Sequence, residues 1–203
     1  MKGLITMILN KIKDRIGNYN GMFGLYYIDL NSGEKCRAGN CDVFRASGTV
    51  KLLTLVEAFK RLEEKSIEKN FKYRLKKSDY IQSASQTMFK TFGALEFLHE
   101  GIELTFEDLY KLNTTVSDNI AFNILLRILG IDEINRTMSL LGYTRTRVNR
   151  EIYNDDKIKK GIENYISLEE VANLFYRMHK GQLISRNASR EMIMILKEHQ
   201  KNN

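Results

Sequence analysis

Apolar residues recur at helical spacing at Leu4, Ile5, Ile8, Leu9, Ile12 and Ile16, which predicts an amphipathic first helix. The pattern then changes. In "MFGLYYIDLNSGEKCRAGNCDVF", residues 22–44, aromatic and aliphatic runs flank the turn cluster Asn31-Ser32-Gly33, so two hairpin strands are predicted, with Tyr26 and Tyr27 as sheet residues. Helical periodicity resumes near Ala46 and runs to about Glu64. Residues 71–92 are mixed and polar, and read as irregular or short helical.

Further helices are predicted from "TFEDLYKLN", where Thr105 and Asp108 form a capping-box-like start, and from "SDNIAFNILLRILG" and "DEINRTMSLLG", which end at Gly130 and Gly142. The stretch from Tyr143 to Ile166 is polar and predicts a long surface loop. Two more helices follow in "SLEEVANLFYRMHKG" and "SRNASREMIMILKEHQ". No repeat, linker or low-complexity segment interrupts the chain, so residues 1–203 read as one domain. Met88, Met138, Met178, Met192 and Met194 read as core fillers rather than ligands.

Composition narrows the function classes. With 43% hydrophobic and 28% charged residues the chain is globular in type. The net charge is +7, but the lysines are scattered and no binding motif accompanies them, so no nucleic-acid role is expected. No apolar stretch approaches the ~20 residues of a membrane span. No signal peptide is evident, which reads as cytoplasmic. Cys36 and Cys41 in "KCRAGNC" lack the partners of a zinc site, and the three histidines are dispersed, so neither metal nor cofactor is expected. Two free thiols are the preferred reading, with a short-loop disulfide as the alternative.

Candidate chemistry concentrates in two stretches. "FRASGTVK", Phe44–Lys51, has a small residue one turn ahead of a lysine at a helix start, and "TVSDNIAFNILL", Thr115–Leu126, sets Ser117, Asp118 and Asn119 ahead of an apolar helix. Their order and spacing resemble the class A serine β-lactamases and related penicillin-recognising enzymes, whose signatures are S-x-x-K, S-D-N and K-T-G. The resemblance implies an α/β, β-lactamase-like fold: a mostly helical domain plus an antiparallel sheet. Here that sheet would be reduced to its N-terminal hairpin, because the chain stops at Asn203 with no K-T-G. "KTFG" at Lys90 to Gly93 is a decoy, since it precedes S-D-N and carries Phe92 as an insertion.

By the same resemblance Lys51 is the base, Ser117 the proton relay, Asn119 the substrate-binding amide and Asp118 a structural anchor of the turn. Gly48 stands where the family has its nucleophilic serine, and glycine cannot attack a carbonyl. Ser47, four residues before Lys51, is a weak substitute candidate, and an N-cap role is the preferred reading for it. Glu151 in "RVNREIYNDD" is a weak candidate for the deacylating glutamate, because its spacing to Asn154 is one short, and it reads more simply as a solvated loop residue.

The implied ligand is a β-lactam or an acyl-D-alanyl compound. An open strand edge would also invite self-association or a partner chain. The expectation is therefore a family member that cannot hydrolyse. Its alternatives are a non-catalytic binding module, or a fragment or engineered variant of an active enzyme.

Overall fold

The computed structural model describes residues 19–80 and 93–200, together with Met7, residues 9–12, Asp14, Arg15 and Gly17. Met7, residues 9–12, Asp14 and Arg15 are helical, with Leu9 and Ile12 half-buried, as the amphipathic reading requires. Leu4, Ile5, Ile8, Ile16, Met88 and Lys90 to Phe92 lie outside the described residues.

The predicted hairpin forms from β1 (Gly24–Ile28) and β2 (Lys35–Gly39), antiparallel with Tyr26 opposite Arg37. Asp29 closes the turn by accepting the backbone N–H groups of Asn31 and Ser32. Two further ladders were not legible as alternation: β3 (Val43–Arg45) pairs with β6 (Tyr165–Ser167), and β4 (Lys72–Arg74) pairs with β5 (Glu103–Thr105). Each strand in them is three residues long, too short to carry a period-two signal.

The helices are α1 (Lys51–Glu63), α2 (Phe106–Thr115), α3 (Asn119–Leu129), α4 (Ile131–Leu140), α5 (Asp155–Lys159), α6 (Leu168–His179) and α7 (Arg186–Lys197). A 3₁₀ turn, Ser47–Val50, leads directly into α1. Residues 51–59 of α1 are buried without interruption. A helix covered on all faces must be surrounded, and α1 packs against α2, α3, α4 and α7. The core around it includes Leu53, Leu55, Phe106, Tyr110, Phe122 and Leu125, while α6 covers the β1–β2 hairpin.

Side-chain caps set most of the helix starts that the sequence signalled. Thr105 and Asp108 form the reciprocal capping box of α2. Asp118, Ser167 and Ser185 cap α3, α6 and α7.

Three expectations need correction. The stretch 143–165 is not a solvated loop: Tyr143, Thr146, Val148 and Asn164 are buried, α5 lies within it, and Arg147 bridges to Tyr165. Its polarity serves internal hydrogen bonds, since Asn164 Oδ1 accepts from the backbones of Asn149 and Arg150. Met138, Met178 and Met192 fill the core, whereas Met194 is exposed. Ser47 is not an N-cap. It has φ of 44°, outside the extended region an N-cap needs, and neither the 3₁₀ turn nor α1 has a side-chain cap. Cys36 and Cys41 are free thiols.

Candidate functional site

Ser117 occupies the short link between α2 and α3, and that link is held from below. The α2 carbonyl of Leu112 accepts the backbone N–H of Asp118. The Asp118 carboxylate, 1% exposed, accepts from Ala121 N at 2.9 Å through one oxygen. Its other oxygen accepts from Ala94 N at 2.6 Å and Leu95 N at 2.8 Å. This close approach requires Gly93: an added Cβ would lie 2.2 Å from Asp118 Oδ2. So the glycine of "KTFG" serves the Asp118 anchor.

With the link clamped, Ser117 takes φ of 57°, a left-handed conformation that costs a non-glycine residue about 1–2 kcal/mol. The turn aims both its hydroxyl and its carbonyl at Lys51. Lys51, only 5% exposed at the start of α1, donates through Nζ to Ser117 Oγ at 2.8 Å, to Asn119 Oδ1 at 2.7 Å and to the Ser117 carbonyl. Asn113 donates to the Lys51 carbonyl at 3.3 Å and fixes the first turn of α1. Lys51, Ser117 and Asn119 thus form one cluster, brought together from residues 66 and 68 positions apart.

Gly48 borders the cluster. A Cβ built on it would meet only Ser117 Oγ, at 3.7 Å, which is ordinary van der Waals contact. Its backbone lies in the right-handed 3₁₀ turn, so no conformational need selects glycine here. Gly48→Ser is therefore expected to leave the unfolding free energy unchanged or to raise it by up to about 1 kcal/mol, through reduced unfolded-state entropy. A denaturant midpoint corresponding to a loss of more than about 1 kcal/mol would show that the site has closed around the missing side chain.

A cleft of about 480 Å³ opens over Gly48, Lys51, Ser117 and Asn119. A second hollow of about 360 Å³ shares Ser47, Gly48, Lys51 and Ser117 with it. The Lys51–Ser117 pair therefore forms a partition between the two, and Ser47 stands exposed at its mouth.

The loop wall of the cleft is Ile152, Tyr153 and Ile158. Asn123 of α3 grips it, accepting from Ile152 N and donating to Ile152 O. Glu151 is not brought to the cluster. Arg127 holds it at 3.1 Å, and it lines an adjoining hollow with Asp79. Arg150 pairs with Glu163, and with its Nε 2.9 Å from Ile162 O it clasps the two ends of the loop. Arg45 lies across the mouth, its side chain 78% exposed and 3.7 Å from Glu163. Arg45, Lys51 and Arg150 against the single Glu163 leave the cleft positive, suited to an anionic ligand.

Sequence reasoning missed Arg45, Asn123 as a loop clamp, and the Arg150–Glu163 clasp. Only the last carried a signal, two opposite charges bounding the polar stretch. Among the described residues no group of three or more His, Cys, Asp or Glu is placed to hold a metal. No helix among them is long and apolar enough to cross a membrane.

A family model described as "Beta-lactamase enzyme family" matches residues 8–203. The chain belongs to that family. Solved structures agree on the fold. A β-lactamase from Sphaerobacter thermophilus superposes with a TM-score of 0.78 at 24% identity, covering 98% of this chain and 69% of that one. PBP-A gives 0.81 at 22% identity, with 97% and 70% covered. TLA-3 extended-spectrum β-lactamase gives 0.79 at 17% identity, again with 97% and 70% covered. No curated protein matches the chain. The fold expected from the two motifs is thus the observed one, with two short ladders added to the hairpin.

Proposed function

We propose that this protein is a family member that binds an acyl-D-alanyl or β-lactam ligand without hydrolysing it. The observation that carries the proposal is the Lys51–Ser117–Asn119 cluster assembled around a position that has no side chain. Lys51 would orient and polarise the bound carbonyl group, Asn119 would hold the ligand's side-chain amide, and Asp118 would keep both in register through the turn. Ser117, at the position of the family's proton relay, would offer its hydroxyl to the intact ligand beside Lys51. The positive mouth at Arg45 suits the ligand's carboxylate. A mutant of PBP-A, among the similar structures, forms an acyl-enzyme complex with penicillin G, which supports the ligand class.

Absence of turnover follows from two features. No hydroxyl exists at position 48, and the loop carboxylate Glu151 is bound to Arg127 rather than facing the cleft. An open strand edge as a docking point for a second chain remains part of this proposal.

Calorimetric titration with benzylpenicillin and with an acyl-D-alanyl-D-alanine peptide tests the reading. One-to-one binding is expected, weakened at least about tenfold by Asn119→Ala, a factor equivalent to ~1.4 kcal/mol. Binding of neither ligand, or affinities indifferent to Asn119→Ala, would overturn it.

A further inference from the structure

The Lys51–Ser117 pair has the components of a nucleophilic dyad. Ser117 Oγ lies 2.8 Å from Lys51 Nζ, within the range required between a nucleophile and its base. Ser117 is held in a left-handed backbone conformation by the Asp118 clamp, and such strain is concentrated at functional positions. It also faces both hollows, so a ligand can reach it from either side.

The decisive feature is Gly48. A side chain at that position would begin 3.7 Å from Ser117 Oγ and occupy the space directly before it. Glycine leaves that space open to a carbonyl carbon. We propose that Ser117 is an acyl acceptor in this protein, with Lys51 as its base, and that the change at position 48 moves the reactive hydroxyl rather than abolishing it.

The step balances without a co-reactant. With Lys51 as the neutral amine, one ammonium proton having passed to solvent, Ser117 Oγ forms a bond to the carbonyl carbon while its own proton passes to that amine. The tetrahedral intermediate then expels the lactam nitrogen, which takes that proton back from Lys51, or expels an aryl oxide that leaves as an anion. The product is an ester on Ser117. The positive end of α3, which begins two residues later, and the Lys51 ammonium both favour the developing oxyanion. The loop wall of the cleft is Ile152, Tyr153 and Ile158, and its one lining carboxylate, Glu163, is held by Arg150 rather than left to activate water, so the ester persists.

This inference rests on the binding reading for the β-lactam probe only. The full chain is treated separately with p-nitrophenyl acetate and with benzylpenicillin, followed by intact mass, peptide mapping and hydroxylamine treatment. The expected result is one hydroxylamine-labile adduct per chain on Ser117, and a burst of about one p-nitrophenolate equivalent. The burst should be lost in Ser117→Ala, whose circular dichroism matches the parent.

Mapping on the unmodified chain decides the matter even if that variant fails to fold. A label on Ser47, a hydroxylamine-stable amide on Lys51, or no label overturns the proposal. Penicillin binding by calorimetry with no ester on Ser117 from either reagent overturns it while the binding reading stands. An ester from p-nitrophenyl acetate, with neither penicillin nor the acyl-D-alanyl-D-alanine peptide binding, supports it and overturns the binding reading.

Discussion

Asp118→Ala is expected to lower the unfolding free energy by about 3–5 kcal/mol, among the largest single-residue losses a domain this size shows. The carboxylate is 1% exposed and accepts three backbone N–H groups, from Ala94, Leu95 and Ala121. Alanine would remove the N-cap of α3, which is worth about 0.5–2 kcal/mol. It would also strand the buried Leu95 N–H, at roughly 1–3 kcal/mol, and the partly buried Ala94 N–H at less, offset in part by water entering the vacated space. Asp118→Asn should cost nearly as much, because its amide NH₂ would face donors rather than acceptors.

The effect should reach the site as well. Ser117 adopts its left-handed turn only because the next residue is clamped, so ligand binding should fail before the fold does. Urea unfolding gives the stability change, and a loss under about 1 kcal/mol would contradict this account of the clamp.

Glu170 should dominate the acid sensitivity of the segment that carries the cleft wall. Burial pushes its carboxyl upward, but the Thr146 hydroxyl and the backbone N–H groups of Arg145, Thr144 and Thr146 outweigh that, and its pKa lies below the ordinary 4.5. A carboxyl depressed in the folded state contributes stability above its unfolded pKa. That stability is complete at neutral pH, begins to fall near pH 4.5, and is gone once the pH drops below the folded value.

Glu170→Gln should therefore cost about 2–4 kcal/mol at pH 7, since the backbone donors of residues 144–146 lose their anionic acceptor. The difference from the parent protein should shrink as the pH falls through the acid limb. Thermal melts from pH 7 down to pH 3 measure both curves. A parent-variant gap independent of pH would show that Glu170 acts by packing alone.

These two carboxylates mark the boundary of what the sequence could tell. Asp118 was legible because it sits in a three-residue motif at a helix start, where local chemistry and capping coincide. Lys51, Ser117 and Asn119 were legible for the same reason: each lies at the first turn of a helix or just before it, and the order of two motifs fixed their meeting. Glu170 was not legible. It looks like any acidic residue in the first turn of α6, yet its partners lie some 24 to 26 positions earlier in a stretch that reads as solvent-facing.

The same inversion affects Asn149, Asn164 and Thr146, polar residues used inside the protein to tie irregular backbone together. Ser47 shows a different failure. Serine before a helix predicts a cap, but the 3₁₀ turn, closed by Thr49 N to Ala46 O at 3.0 Å, turns the residue out into the cleft mouth. Glu151 reads more simply as a loop residue than as a deacylating group, and Arg127 holds it away from the cluster, while the next residue, Ile152, is the one Asn123 grips and turns toward the cleft.

The central claim is that a binding site of this family persists here while multiple turnover does not. Steady-state hydrolysis of a chromogenic cephalosporin by the unmodified chain tests it most directly. The account predicts no product beyond about one equivalent per chain, however long the incubation, because no hydroxyl stands at position 48, Glu151 is held by Arg127, and the cleft's Glu163 is paired with Arg150. Sustained turnover over many equivalents, lost on Lys51→Met, would contradict it and would mean that this cleft completes the full hydrolytic cycle without a side chain at position 48.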